Sequence, residues 1–345
     1  YNGSMRFIVV RKPGGRSALE IGEGPDPVPG SGEVRVRVRA AGVNYADCLV
    51  RTGYYAAARG LYPITPGFEF AGEVDALGPG AQGLRVGDRV FGVRRFGGYA
   101  DMQVIDRRQV WPCPEGWSRA SCAAFPAVFL TAWYGLHEAA RVREGERLLI
   151  HSAAGGVGTA LLQLARIAGC PSVAVVGSPA KAALCREFGA EAVIDRSSED
   201  LWETAQRRAP QGYDAIFDAN GVRTLSEGYE RLAAGGRLVV YGFAEIFARG
   251  EETPSLLRLA WNRLRVPGFS PLRMTYENRG VMGFNVVNLF HRFEVAEKAM
   301  GRMLGWAAEG RLSPVPVREF PFERAADAHA ALESGTTTGK LVLTF

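Results

Sequence analysis

The run Ala153-Ala154-Gly155-Gly156-Val157-Gly158 carries the clearest chemical signal in the chain. It follows a short apolar stretch ending at His151 and opens a helical pattern, so it reads as a dinucleotide fingerprint with Ala at the first Gly position. Gly155 lets the backbone approach a pyrophosphate, and Gly158 lets the helix pack closely on the strand. The positive end of the helix then faces the phosphates. Ala154, Gly155, Gly156 and Val157 are the candidate contacts. About twenty residues further on, the next strand ends at Gly177-Ser178 with no acidic residue to accept from a ribose 2′-hydroxyl. Ser178, Lys181 and Arg196 stand at or near the ends of the second and third strands instead. A 2′-phosphate needs cations and hydroxyl donors, so the expected cofactor is NADPH. The plainer reading of the same residues is a solvated lysine at a helix start and a loop arginine.

The elements around this turn predict an α/β protein with a doubly wound parallel sheet, a Rossmann domain, and a second domain built of short strands. From Arg147 onward, apolar strands at 148–151, 172–177, 192–194, 215–218 and 238–241 alternate with helical patterns near 157–168, 180–188, 199–208 and 225–233. That rhythm argues for a parallel sheet covered on both faces. The first third is strand-rich. Val34, Val36 and Val38 alternate with Arg35, Arg37 and Arg39, the pattern of a half-buried strand. Further strands are expected at 6–10, 70–77, 89–93 and 102–105, with loop at 20–32, a helix at 131–140 and a Pro-rich turn at 314–321. A helical stretch after 290, a helix near 323–333 and a last strand at 340–345 complete the chain. The predicted division is 5–126, a β-domain; 127–288, the doubly wound domain; and 289–345, the return to the first. Met5 is read as the native start.

Composition narrows the function classes. With 345 residues, 47% hydrophobic and 22% charged, the chain is an ordinary globular one of about two domains. Its net charge of +5 is spread along the sequence, so no nucleic-acid partner is expected. Five scattered Cys suggest reduced thiols and a cytoplasmic location. No apolar run reaches the length of a membrane span. The segment 255–273 is basic and amphipathic, which leaves a lid, a surface helix and a membrane-binding helix open.

Three segments together, Gly42-Val43-Asn44-Tyr45-Ala46-Asp47, Pro66-Gly67-Phe68-Glu69-Phe70-Ala71-Gly72 and the Gly-rich run, resemble the medium-chain dehydrogenase/reductase superfamily. Within it the chain resembles the zinc-free quinone oxidoreductases, in particular the vesicle amine transport protein branch. That likeness continues through Gly228-Tyr229, Val240-Tyr241-Gly242, Trp261-Asn262, Glu277-Asn278-Arg279, Gly283-Phe284 and Gly339-Lys340. It implies that the β-domain is a GroES-like, partly closed barrel. It also implies that Asn44 lies near the nicotinamide ribose and the substrate, and that Tyr55 lines a quinone pocket, with domain packing as the alternative role for Tyr55. Thr131 would lie near the diphosphate and Asn220 on the adenosine side. Tyr241, Gly242 and Phe243 would lie beneath the nicotinamide, Phe284 and Asn285 at its carboxamide, and Lys340 close to the phosphates. Arg196 is a departure, since the family commonly has Tyr there. Zinc-using relatives place Cys and His where this chain has Asn44 and Phe68, and Ala127 falls near the third ligand, so no metal is expected. Asp47 reads as a structural hydrogen-bonding residue and Cys48 as a packed thiol.

The resemblance implies a zinc-independent, NADPH-dependent oxidoreductase that passes hydride to a quinone or related conjugated carbonyl. An enoyl or alkenal double-bond reductase is the nearest alternative. A non-enzymatic NADPH-binding, RNA-binding or structural protein is the alternative from another class. The resemblance further implies a homodimer joined through an edge strand at 280–287.

Overall fold

The structure is a computed structural model that describes residues 4–244, 253, 255–289 and 292–345, and all counts below are of these. The chain forms two compact units. One comprises the residues up to Ala127 together with Val287–Phe345, and the other comprises Val128–Val286.

The first unit begins with β1 (Ser4–Val9), β2 (Glu20–Pro25), β3 (Glu33–Val43), β4 (Glu69–Leu77), β5 (Arg89–Val93), β6 (Met102–Asp106) and β7 (Val110–Pro112). The alternation read in β3 is realised. Val34, Val36 and Val38 are buried in a core with Phe70, Val74 and Val90. On the other face Arg35 and Arg37 pair with Asp75 at 2.5 and 2.8 Å, and Arg39 pairs with Glu73 at 2.9 Å. The expectation of loop from 20 onward is corrected, because β2 pairs antiparallel with β1. Phe7 lies opposite Gly22, where an added Cβ would sit 2.9 Å from its ring. The glycine makes room for an aromatic side chain on the partner strand instead of breaking the strand.

In the second unit β8 (Leu148–Ile150), β9 (Ser172–Val176), β10 (Ala192–Asp195), β11 (Tyr213–Asp218), β12 (Leu232–Val240) and β13 (Gly280–Gly283) form a six-stranded sheet among the described residues. All its pairings are parallel and its order is β10-β9-β8-β11-β12-β13. This is the doubly wound order, in which ligands bind beyond the carboxyl ends of the strands where the winding reverses. Here the reversal lies between β8 and β11.

Three expected elements are corrected in this region. The helix predicted at 131–140 begins at Pro126, runs to Trp133 and continues as a π-helical stretch, Tyr134–Ala139. Its first turns are apolar nearly all round, so no periodicity marks their start. The helix read at 225–233 ends at Glu230, and β12 begins two residues later. The strand predicted at 280–287 ends at Gly283. The apolar residue Val287 beyond it belongs to a core of the first unit, with Val10, Val50, Tyr55 and Phe68. In the segment 255–273, the helix Leu256–Arg265 exposes Leu257, Trp261 and Leu264. No helix among the described residues is long and apolar enough to cross a membrane.

The chain returns to the first unit through the helix Phe293–Ala308, β14 (Val317–Pro321), the helix Ala325–Glu333 and β15 (Lys340–Thr344). The stretch 314–321, expected as a turn, contains β14, which runs parallel to β15 at the end of the sheet β14-β15-β3-β4-β5-β7, with β6 on β3. An edge strand is where Pro is tolerated.

Candidate active site

The Gly-rich turn leaves β8 at the point where the winding reverses. Ser152 takes a left-handed conformation, φ 53°, which is uncommon for a residue with a Cβ. Its Oγ donates to Asn220 Oδ1 at 2.8 Å, joining the loops that follow β8 and β11. Asn220 and Gly221 are held in turn by Asp218, whose Oδ1 accepts from both their N–H groups at 2.7 and 3.0 Å. Ala153 and Ala154 are buried, and the helix Gly156–Ile167 begins behind them. Gly155 is its N-cap and supplies no side-chain hydrogen bond, so no side chain satisfies the first N–H groups. A Cβ on Gly158 would lie 2.5 Å from both Ser152 O and Ala153 Cα, which makes Gly158 obligatory for the helix to sit this close to the turn. Ala154, Gly155, Gly156 and Val157 thus lie together, as the spacing predicts.

At the end of β9 the Arg196 guanidinium lies beside Gly177. A Cβ built on Gly177 would be 3.6 Å from Arg196 Nε. The Arg196 N–H donates to Val176 O at 3.1 Å, and the Lys181 N–H to Ser178 O at 3.2 Å. Gly177, Ser178, Lys181 and Arg196 therefore cluster at the ends of two neighbouring strands. After β12, Tyr241 stacks near Phe284 with ring centroids 6.3 Å apart, and Phe284 meets Tyr134 at 4.8 Å. The Phe284 N–H is occupied by Val240 O at 3.1 Å. A Cβ on Gly221 would meet the Phe243 ring at 2.8 Å, and one on Gly242 would meet Ala219 O at 3.1 Å. The turns after β11 and β12 are thus packed against each other through glycines. Asn285 follows Phe284 directly. Thr131 sits inside its helix, not at the start as expected, because the helix begins five residues earlier.

The first unit builds a separate polar cluster. Asn44 ends the loop before the helix Tyr45–Thr52. Its Nδ2 donates to Glu69 Oε1 at 2.9 Å, and its Oδ1 accepts from Lys340 Nζ. Lys340 also pairs with Glu69 at 2.6 Å, and both side chains are buried. Glu69 Oε2 accepts from the Ala127 N–H at 2.7 Å. Lys340, expected near phosphates, is thus engaged as a positioning group for Asn44. The network also fixes the amide's orientation, because the oxygen must face the ammonium and the nitrogen the carboxylate. One N–H of the half-buried Asn44 amide is left as a donor.

Asp47 supports Asn44 from below, accepting from the Asn44 N–H at 2.8 Å and from the Gly67 N–H at 2.7 Å. Burial pushes its carboxyl up to about 7 against these donors. This is the structural role read for Asp47. Burial also raises the Cys48 thiol well above its usual range, so the packed-thiol reading of Cys48 holds. Tyr55 packs edge-on to Phe68 and Phe96, with centroids 5.7 and 6.3 Å away. Glu69, Asp218 and Ser152 were not singled out from sequence. Glu69 lies in a quoted motif, but its partners are distant in the chain.

Comparison with known proteins gives two family matches: the alcohol dehydrogenase GroES-like domain over residues 30–115, and zinc-binding dehydrogenase over 188–343. The synaptic vesicle membrane protein VAT-1 homolog of Rattus norvegicus is 31% identical over 98% of this chain and 84% of its own. The crystal structure of a Pseudomonas syringae quinone oxidoreductase aligns with TM-score 0.85 at 26% identity, over 99% of this chain and all of that one. Escherichia coli quinone oxidoreductase, solved in complex with NADPH, aligns with TM-score 0.84 at 26% identity over the same shares.

The second family description names zinc, and the residues here do not fit it. Phe68 is packed against Tyr55 and Phe96, and Asn44 is bound to Lys340 and Glu69. The positive charge at this place is an ammonium. Among the described residues no group of three or more His, Cys, Asp or Glu could hold a metal ion; His291 lies outside them. A dinucleotide phosphate does fit the second unit, where Gly155 leaves no side chain at the helix N-terminus and Arg196 lies beside Gly177.

Proposed function

As a member of the medium-chain dehydrogenase/reductase superfamily, alongside the quinone oxidoreductases and the VAT-1 homologues, the chain is an NADPH-linked oxidoreductase, and we propose that it reduces a quinone or related conjugated carbonyl without zinc. When bound, NADPH supplies the hydride. The turn 153–158 would hold its pyrophosphate through backbone N–H groups. Arg196, Lys181 and Ser178 would hold the 2′-phosphate, the guanidinium offering a fork of donors. Tyr241, Phe243 and Phe284 supply the apolar, aromatic surroundings that suit a nicotinamide.

The observation that carries the metal-free reading is the wiring of Asn44. Lys340 on its oxygen draws electron density from the amide, and Glu69 holds one of its N–H bonds. The remaining N–H is a pre-oriented, polarised donor for an oxygen that gains charge as hydride arrives. Tyr55 and its aromatic neighbours would give the flat face on which a quinone ring rests. The chain would act as a homodimer through the edge formed by β13.

Metal analysis tests this reading. The purified protein should contain no stoichiometric zinc and should oxidise NADPH with a panel of quinones in excess chelator. Zinc near one per chain, with activity lost on chelation, would overturn it. The same panel extended to enones shows whether C=O or C=C is the preferred acceptor.

A further inference from the structure

Two of the five cysteines meet in the first unit. Cys113 follows β7, and its N–H donates at 2.9 Å to the O of Arg89, the first residue of the neighbouring β5. Cys122 lies in the short helix Arg119–Ala123, where its N–H donates to Ser118 O at 2.9 Å. The chain between them folds back on itself. The Trp117 N–H donates to Pro114 O at 3.3 Å, and Gly116 takes a positive φ of 76°. Arg89 holds this turn twice, through its backbone O to Cys113 and through its Nη2, which donates to Trp117 O at 2.6 Å. Trp117 packs edge-on to Phe125, with centroids 5.3 Å apart, and Phe125 packs edge-on to Phe91 of β5 at 5.5 Å. The turn brings the half-buried Cys113 to the buried Cys122, and the two thiols are hydrogen-bonded to each other.

This pair differs from the other thiols. Burial lifts Cys48 well above its usual range, and Cys170 and Cys185 to about 11. Cys122 is moved the other way, because the Cys113 thiol donates to its sulfur and the Arg89 guanidinium stands near, and these outweigh its burial. The same hydrogen bond, with burial, raises Cys113, which keeps its proton and serves as the donor. Glu73, the acidic group beside the pair, is engaged by Arg39 and Arg119 at 2.9 and 2.6 Å. Among the described residues no third ligand gathers here that would make the pair a metal site. Two adjoining sulfurs, one of them favoured as thiolate, are the arrangement that closes to a disulfide under oxidation.

We propose that Cys113 and Cys122 form a redox-active pair, which hydrogen peroxide converts to a disulfide between β7 and the helix Arg119–Ala123. The Cys122 thiolate attacks one peroxide oxygen and the O–O bond breaks. Cys122 becomes a sulfenic acid, and the departing hydroxide takes up a proton to leave as water. The Cys113 sulfur then attacks the sulfenic sulfur, the S–S bond forms, and the sulfenic hydroxyl leaves with the Cys113 proton as a second water. The two thiols give up two electrons and two protons, and one peroxide is reduced to two waters. The pair belongs to the first unit alone and does not rest on the reductase reading, because oxidation is read without turnover.

Timed exposure of the full chain to hydrogen peroxide, followed by alkylation and peptide mapping by mass spectrometry, tests this. A thiol at about 11 carries roughly a hundred-fold less thiolate than one below 9, and the weaker nucleophilicity of the more acidic sulfur takes back about ten-fold. Cys113 and Cys122 should therefore be lost together, about ten-fold faster than Cys170 or Cys185. They should appear in a joined peptide lighter by two hydrogens, which dithiothreitol separates. In Cys113→Ser no joined peptide should form, and Cys122 should gain oxygen instead. Should that variant fail to fold, the wild-type map decides alone. Loss of Cys48, Cys170 or Cys185 before the pair, oxygen gained at Cys113 or Cys122 of the wild type without a bridge, or a bridge to any other cysteine would overturn the proposal.

Discussion

Replacing Lys340 by Met isolates what the Asn44 cluster costs and contributes. In the native chain Glu69 is fully buried and Lys340 is 4% exposed, with nitrogen and oxygen 2.6 Å apart. Removing one partner of a buried ion pair leaves the other charge uncompensated, which typically costs about 3–5 kcal/mol. Glu69 keeps two donors, the Asn44 Nδ2 at 2.9 Å and the Ala127 N–H at 2.7 Å. These soften the loss, so Lys340→Met should destabilise the first unit by about 3 kcal/mol, the lower end of that range. The double variant Lys340→Met/Glu69→Gln removes the stranded charge and should recover most of the loss. Urea unfolding followed by hydrogen exchange at β3 and β15 reads this unit apart from the other. If Lys340→Met lies within about 1 kcal/mol of the wild type, the pair is no stronger than an exposed one and the reasoning fails.

Three further outcomes are expected. Asp47 titrates near 7 in the fold against an ordinary 3.8, so the folded chain holds the extra proton between those values and stability falls as pH rises through that window. Asp47→Asn should flatten this dependence in pH-resolved denaturation and, by giving up one of two N–H acceptors, cost about 1–3 kcal/mol. Arg196→Ala should weaken NADPH binding about ten-fold or more, the worth of one or two charged hydrogen bonds, and leave NADH nearly unchanged in calorimetry; equal losses would remove Arg196 from the 2′-phosphate site. β13 ends the sheet order, and its free edge should pair with that of a second copy, so light scattering should give a dimer mass, and a monomer would count against the pairing.

The parts of this molecule that follow local rules were legible in its sequence. β3 shows its face in the alternation of Val34, Val36 and Val38 with three arginines. The β-α rhythm after Arg147 gives the parallel sheet, and the glycine spacing gives the turn. What was not legible depends on partners far along the chain. β2 reads as loop because its glycines answer to the Phe7 ring on another strand. β14 reads as turn because Pro314 and Pro316 precede it and Pro321 ends it, and a strand with that proline is acceptable at the edge beside the distant β15. Lys340 carries no local mark of its bond to Asn44, 296 positions away. Glu69 was visible as part of a motif, yet its role appears only once residues 44, 127 and 340 surround it.

In the proposed reaction a polarised amide, not a metal, meets the charge that hydride transfer creates. Single-turnover reduction of a quinone by saturating NADPH, with oxygen excluded, compares the wild type with Asn44→Ala most directly. NADPH affinity should be unchanged and the transfer rate lowered by about ten- to a hundred-fold, less than a fully enclosed oxyanion site would lose because water can enter. A variant that binds NADPH weakly yet transfers hydride at the wild-type rate once saturated would contradict it, and would leave Asn44 only the holding of the ribose.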